Sequence, residues 1–234
     1  MANLPSNRSS SKDIVAFLSA AAKTPTLAQV KGRLIFAVDA TMSRQPTWDI
    51  ASEIQTDMFE VAQSVGGLAV QLVYFRGRGE FEASEWTTTP SALAARMQRV
   101  TTRSGFTQLR RVLAHATDEA RRNKVGALVY VGDCFEENPD AVANEAASLA
   151  LLGVPAFLFQ EGEDPTAGAM FAEIARLTKG VHAHFNAGAA RQLRELLRAA
   201  AVYAAGGGLA LKDYGDRFGG EVKRIASAMG HKRG

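Results

Sequence analysis

Four apolar runs punctuate the chain, at 34–38, 68–75, 125–131 and 154–159. Each is continuous rather than alternating, so each predicts a strand buried on both faces, as in a parallel sheet. A shorter strand is expected at 181–185. Between them, 47–65, 90–99, 107–123, 139–152, 166–178 and 188–205 carry helical spacing, several ended by glycine (Gly66-Gly67, Gly153, Gly180). Segment 80–86 breaks the pattern. It follows the tight turn Arg76-Gly77-Arg78-Gly79 and alternates strictly, which predicts a half-exposed antiparallel edge strand. The expected fold is therefore α/β: a doubly wound, mostly parallel six-stranded sheet with one antiparallel edge strand.

The ends read differently. Residues 1–11 are polar, and 12–23 place Ile14, Phe17, Leu18 and Ala21 at helical spacing before a break at Pro25. Gly206-Gly207-Gly208 reads as a hinge. Beyond it Leu211, Tyr214, Phe218, Val222, Ile225 and Met229 recur every three or four residues, predicting one amphipathic helix weakened by Gly215, Gly219 and Gly220. Its stripe must cover the body, a second copy or a partner. The organisation expected is a tail and short helix (1–31), a domain (32–205) and a basic amphipathic extension (206–234).

Composition narrows this picture little. A chain of 234 residues, 47% hydrophobic, suits one domain with extensions. No apolar run approaches the ~20 residues that span a bilayer, and the N-terminus lacks an apolar signal core. The single cysteine, Cys134, excludes an internal disulfide and suits a reducing compartment, so a cytoplasmic location is expected. The net charge of +3 hides an asymmetry. Residues 1–33 hold five basic and one acidic residue, 206–234 hold six and three, and 34–205 hold 16 and 20. Basic ends on a mildly acidic body read as solvated tails, because no recognition motif or aromatic-interleaved basic stripe signals nucleic acid, and nothing signals a membrane.

The chemistry gathers at strand ends. The first strand stops at Asp39, and Thr41 and Ser43 follow at alternating positions. Open α/β sheets build their sites at the carboxyl ends of strands, and oxygen ligands of this kind suit a hard cation, Mg²⁺ or Mn²⁺. Arg103-Ser104-Gly105-Phe106-Thr107 is a glycine turn with Thr107 opening a helical stretch, and the run from Val125 also ends in an aspartate, Asp133.

These positions resemble the metal-ion-dependent adhesion site of the von Willebrand factor A domain family: Asp-x-Ser-x-Ser, then a distant Thr, then a distant Asp. Here they read Asp39-x-Thr41-x-Ser43, Thr107 and Asp133, with Thr41 in place of the usual Ser. The resemblance covers roughly residues 32–205. It implies a Rossmann-like fold with a metal bound directly by Thr41 and Ser43. Asp39 and Asp133 would act mainly through water, and Thr107 would ligate directly in the tight-binding state. It also implies an open coordination position that takes an Asp or Glu from a protein partner, and hence an interaction domain rather than an enzyme. No general base stands where an attacking water would sit.

Other readings compete. Asp39-x-Thr41 also resembles the opening motif of haloacid-dehalogenase-like phosphotransferases. There Asp39 would be the nucleophile, Thr107 and Lys124 would bind phosphate, and Asp133 with Glu136 would hold Mg²⁺. The usual second aspartate of that motif is replaced by Thr41. A metal-free structural scaffold is the third reading. Elsewhere, Glu136 and Glu137 are expected to face solvent, Cys134 to fill space at a strand end, and His182 and His184 to form a structural pair. Trp86 and Trp48 read as packing or edge residues, with Trp48 close enough to the metal loop to rim a groove.

Overall fold

The computed structural model describes residues 30–41, 45–186 and 189–230. The expected helix at 12–23, the polar segment before it and Ser43 lie outside the described residues. Six strands form one sheet: β1 (Gly32–Asp39), β2 (Leu68–Arg76), β3 (Glu80–Ala83), β4 (Ala127–Gly132), β5 (Ala156–Glu161) and β6 (Val181–Phe185). Their spatial order is β3-β2-β1-β4-β5-β6, with every pair parallel except β2–β3. The mostly parallel sheet with one antiparallel edge strand is the architecture that the periodicity predicts. The edge strand is shorter than expected. Regular pairing stops at Ala83; beyond it Ser84 N–H donates to Leu72 O at 2.8 Å and the bridge Val70–Thr87 is made.

The helices are α1 (Gln45–Ile54), α2 (Thr56–Gln63), α3 (Pro90–Met97), α4 (Leu109–Arg122), α5 (Pro139–Leu151), α6 (Pro165–Leu177), α7 (Ala190–Phe218) and α8 (Gly220–Gly230). The expected single helix 47–65 is two helices, because Gln55 interrupts it. Alternation along β1 explains the layers. Leu34, Phe36 and Val38 point into a core shared with α1, α2, α7 and α8. Ile35 and Ala37 point into a second core under α4, α5 and α6, where Tyr130 lies flat against Phe75 and edge-on to Phe171. Both cores are aliphatic or aromatic, so burial of these strands is the main stabilising term.

The C-terminal segment differs from expectation. The first part of α7 runs to a kink at Gly207, whose φ of 73° and ψ of −167° leave the helical region. The apolar stripe beyond it is not one helix but an αα-hairpin. Gly219 and Gly220 take φ of 67° and 57°, a left-handed conformation that glycine adopts without steric cost. They turn the chain, and Gly215 lets the two helices touch, since a Cβ there would sit 3.1 Å from Lys223 Cα. The glycines that seemed to weaken one helix therefore build two. Leu211, Val222, Ile225 and Met229 join the core with α1, α2 and the sheet. Of the three possible covers for that stripe, the structure supplies the body for these four residues, while Tyr214 is half-buried and Phe218 is exposed. Among the described residues, no helix is long and apolar enough to cross a membrane.

Candidate metal centre

Strand register sets the site. Val38 pairs with Val131, so Asp39 stands level with Gly132, and Asp133 follows one residue later. Asp39 is fully buried, and its Oδ1 accepts a 2.8 Å bond from Thr41 N–H, which folds the chain back just past the strand. Thr41 is buried beside it. The third segment is brought in by backbone bonds. Arg103 N–H donates to Ala40 O at 3.1 Å, tying the 101–108 loop to the end of β1. Thr107 Oγ1 accepts from Glu136 N–H at 3.2 Å, and Thr107 N–H donates to Glu136 Oε2 at 3.3 Å. Four of the five residues predicted from sequence, Asp39, Thr41, Thr107 and Asp133, thus lie on connected segments at the carboxyl edge. The fifth, Ser43, is outside the described residues.

The two aspartates and Cys134 form the one group of three possible metal-binding side chains found among the described residues, with candidate ligand atoms all within 4.8 Å of one another. Asp133 Oδ1 is buried and makes no hydrogen bond among the described residues. A buried carboxylate oxygen without a donor is costly, and a cation placed between Asp133 and the neighbouring Asp39 answers that cost. The donor set is mostly oxygen, which favours a hard ion over a soft one. Cys134 does not change this. Burial first, then the Asp133 and Asp39 carboxylates, push its thiol up to about 12, so it stays protonated at neutral pH. A protonated thiol is a poor nucleophile, consistent with Cys134 as a space-filling residue.

Of the two acids expected to face solvent, Glu136 does so and Glu137 is half-buried, and both also hold neighbouring backbone. Glu136 is exposed but bonds the Thr107 backbone. Glu137 accepts from Leu109 N–H at 2.5 Å and Arg110 N–H at 3.1 Å, capping α4 from another segment. A carboxylate at a helix N-terminus satisfies orphan donors and meets the positive end of the helix dipole. The sequence signal was faint, because the cap lies 28 residues away rather than at the position just before the helix.

The remaining candidates fall away from the centre. Trp48 is buried, donates to Met97 O at 3.2 Å and packs edge-on against Tyr74, so it rims no groove. Trp86 bonds Glu119 Oε2 at 2.9 Å beneath the Arg33 guanidinium. His182 and His184 lie ring to ring at 4.5 Å, held by Gln160 Oε1 and Gly162 O. Lys124 precedes β4, whereas Asp133 follows it. Six strand residues at ~3.3 Å each put about 20 Å between the two ends, so Lys124 cannot neutralise a phosphate on Asp39.

With the geometry in view, the sequence and structure were compared with known proteins. No protein-family profile matches the chain, and no curated protein does. Solved structures do. A von Willebrand factor type A protein from Catenulispora acidiphila aligns with a TM-score of 0.58 at 16% identity, over 74% of this chain and 43% of that one. An aerotolerance-related membrane protein from Bacteroides fragilis NCTC 9343 aligns at 0.56 and 14%, over 73% and 98%. The SpRpn10 VWA domain aligns at 0.55 and 11%, over 76% and 98%. The chain has the von Willebrand factor A-type fold. Similarity at this level of identity fixes the fold and leaves the activity to be argued from the site.

Proposed function

We propose that the chain is a protein-interaction domain that takes a partner's Asp or Glu side chain on a divalent cation, Mg²⁺ or Mn²⁺. Asp39, Thr41, Ser43, Thr107 and Asp133 would hold the ion. It would supply a positive charge with a coordination position open to an incoming carboxylate. The observation that carries this reading is the buried Asp133 Oδ1, which has no hydrogen bond among the described residues, close to Asp39 at the carboxyl edge. The protein's own residues prepare the site. Asp39 fixes the Thr41 loop, and the Thr107–Glu136 pair of bonds fixes the opposite wall.

A binding role is favoured over phosphotransfer by the placement of Lys124 at the other end of β4. The two readings part in one assay. Purified protein with Mg²⁺ is expected to hydrolyse no generic phosphomonoester and to form no aspartyl-phosphate at Asp39. It is also expected to retain a carboxylate-bearing partner in Mg²⁺ and release it in chelator. Turnover that Asp39→Asn eliminates would replace this proposal with the phosphotransferase. The expected setting is the cytoplasm.

A further inference from the structure

Phe106 is 62% exposed, an uncommon position for a large aromatic side chain, and it immediately precedes Thr107. It is not on a free arm. Gly105 packs so closely on the β2–β3 turn that a Cβ would lie 2.3 Å from Gly77 O. On one side Arg103 N–H is bonded to Ala40 O, and on the other Thr107 is bonded twice to Glu136. A fixed loop therefore holds an apolar ring in water beside the candidate metal centre. The same close contact sets the β2–β3 turn and its arginines against the loop that carries Phe106. Arg76 and Arg103 share a single carboxylate, Glu80, at 2.6 and 2.8 Å. Arg111 donates to Gly79 O at 3.0 Å, and its guanidinium lies over Phe81. Arg78, at the exposed tip, has no ion pair among the described residues. Four arginines against one glutamate make this corner positive, although residues 34–205 as a whole are net negative.

We propose that this corner is the second contact of the partner. It would bind an acidic peptide segment whose apolar side chain packs on Phe106 while flanking carboxylates meet Arg78, Arg103 and Arg111. The inference rests on the reading above, in which one carboxylate is taken by the metal, and it adds what surrounds that carboxylate. Rigid aromatic and arginine side chains carry most of the energy in interfaces, because little entropy is lost when they are covered. Charge complementarity selects the occupant. A nucleic acid is disfavoured because a single exposed ring offers no stacking series.

The test is selection of a displayed random short-peptide library on the full chain in millimolar Mg²⁺. Synthetic copies of the enriched peptides are then titrated against wild type, Phe106→Ala and Arg78→Glu. Both side chains are exposed, and melting curves of the variants check that the fold is kept. Enriched peptides are expected to join an Asp or Glu to a nearby apolar residue and to carry net negative charge. Phe106→Ala should weaken them about tenfold, a loss of the size seen at interface anchors. Arg78→Glu should weaken them and should regain affinity for copies with lysines at the flanking acids. No enrichment, neutral peptides, equal binding by the variants, or tighter binding of a single-stranded oligonucleotide lost in the same variants would each overturn the proposal. Metal-dependent melting of the same proteins keeps the two claims apart. A Mg²⁺ shift that survives while the peptide preference is absent removes this contact and leaves the metal site.

Discussion

The two edges of one sheet are built for opposite purposes. At the amino edge, glycines let a helix backbone press onto the strands. A Cβ on Gly32 would lie 2.6 Å from Ala205 Cα, and one on Gly126 would lie 2.5 Å from Ala204 O. At the carboxyl edge the strands end in Asp39 and, one residue past β4, Asp133, with loops tied by hydrogen bonds and by the close approach of Gly105 to Gly77. The first edge spends its residues on contact, and the second keeps polar atoms partly unsatisfied. Substitutions at the amino edge should therefore change stability without touching binding, and those at the carboxyl edge should do the reverse.

The largest effect expected is at the amino side. Removing residues 207–234 takes away Leu211, Val222, Ile225 and Met229, each worth roughly 1.5–3 kcal/mol when fully buried. Urea unfolding of the truncated chain should show a loss of several kcal/mol, and an unchanged midpoint would show that the hairpin is not part of this core. Gly126→Val comes next. The backbone of α7 cannot retreat from the new side chain without losing its own contacts, so about 3 kcal/mol is expected, or on the order of 6–12 °C in melting temperature. Carboxyl-edge binding by whatever remains folded should be intact.

Acid reads a different place. Burial, then the neighbouring His184, lowers the His182 imidazole from 6.5 to about 4. The unfolded chain therefore takes up a proton near pH 6.5 that the folded chain refuses until about pH 4. Stability falls as pH drops through that window and gains nothing from His182 above it. His115, lowered chiefly by burial, adds to the same slope. Glu163 and Asp164 border the cavity that His182 and His184 share. Melting of wild type and His182→Gln from pH 7 to 4 should show a shallower decline in the variant, and parallel curves would remove His182 from the account. The smallest effect is at the carboxyl edge itself. Glu137→Ala deprives Leu109 and Arg110 N–H of their acceptor and should cost about 1 kcal/mol by chemical denaturation.

Much of this was legible in the sequence, and the part that was not has a common cause. Continuous apolar runs gave β1, β2, β4 and β5, because a strand buried on both faces can hold little else. Strict alternation at 80–83 gave the antiparallel edge. Asp39, Thr41, Thr107 and Asp133 stood out as candidates because they lie at or just past strand ends or just before a helix. What the sequence hid depends on partners distant in the chain or on backbone angles. The capping of α4 by Glu137 crosses 28 residues. The hairpin at Gly219-Gly220 looks, by periodicity alone, like one helix, since the apolar spacing continues across the turn. The exposure of Phe106 likewise depends on where its loop is held, with Gly105 against Gly77.

The central claim is that the carboxyl edge binds a hard divalent cation, and thermal unfolding tests it most directly. Wild type and Asp39→Ala are melted over a Mg²⁺ titration. A ligand that binds only the folded chain stabilises it by ~2.7 kcal/mol at a hundredfold excess over its dissociation constant. The account predicts a metal-dependent rise in the wild-type melting temperature that saturates, and none in Asp39→Ala. Two proteins that melt identically with and without Mg²⁺ or Mn²⁺ would contradict it.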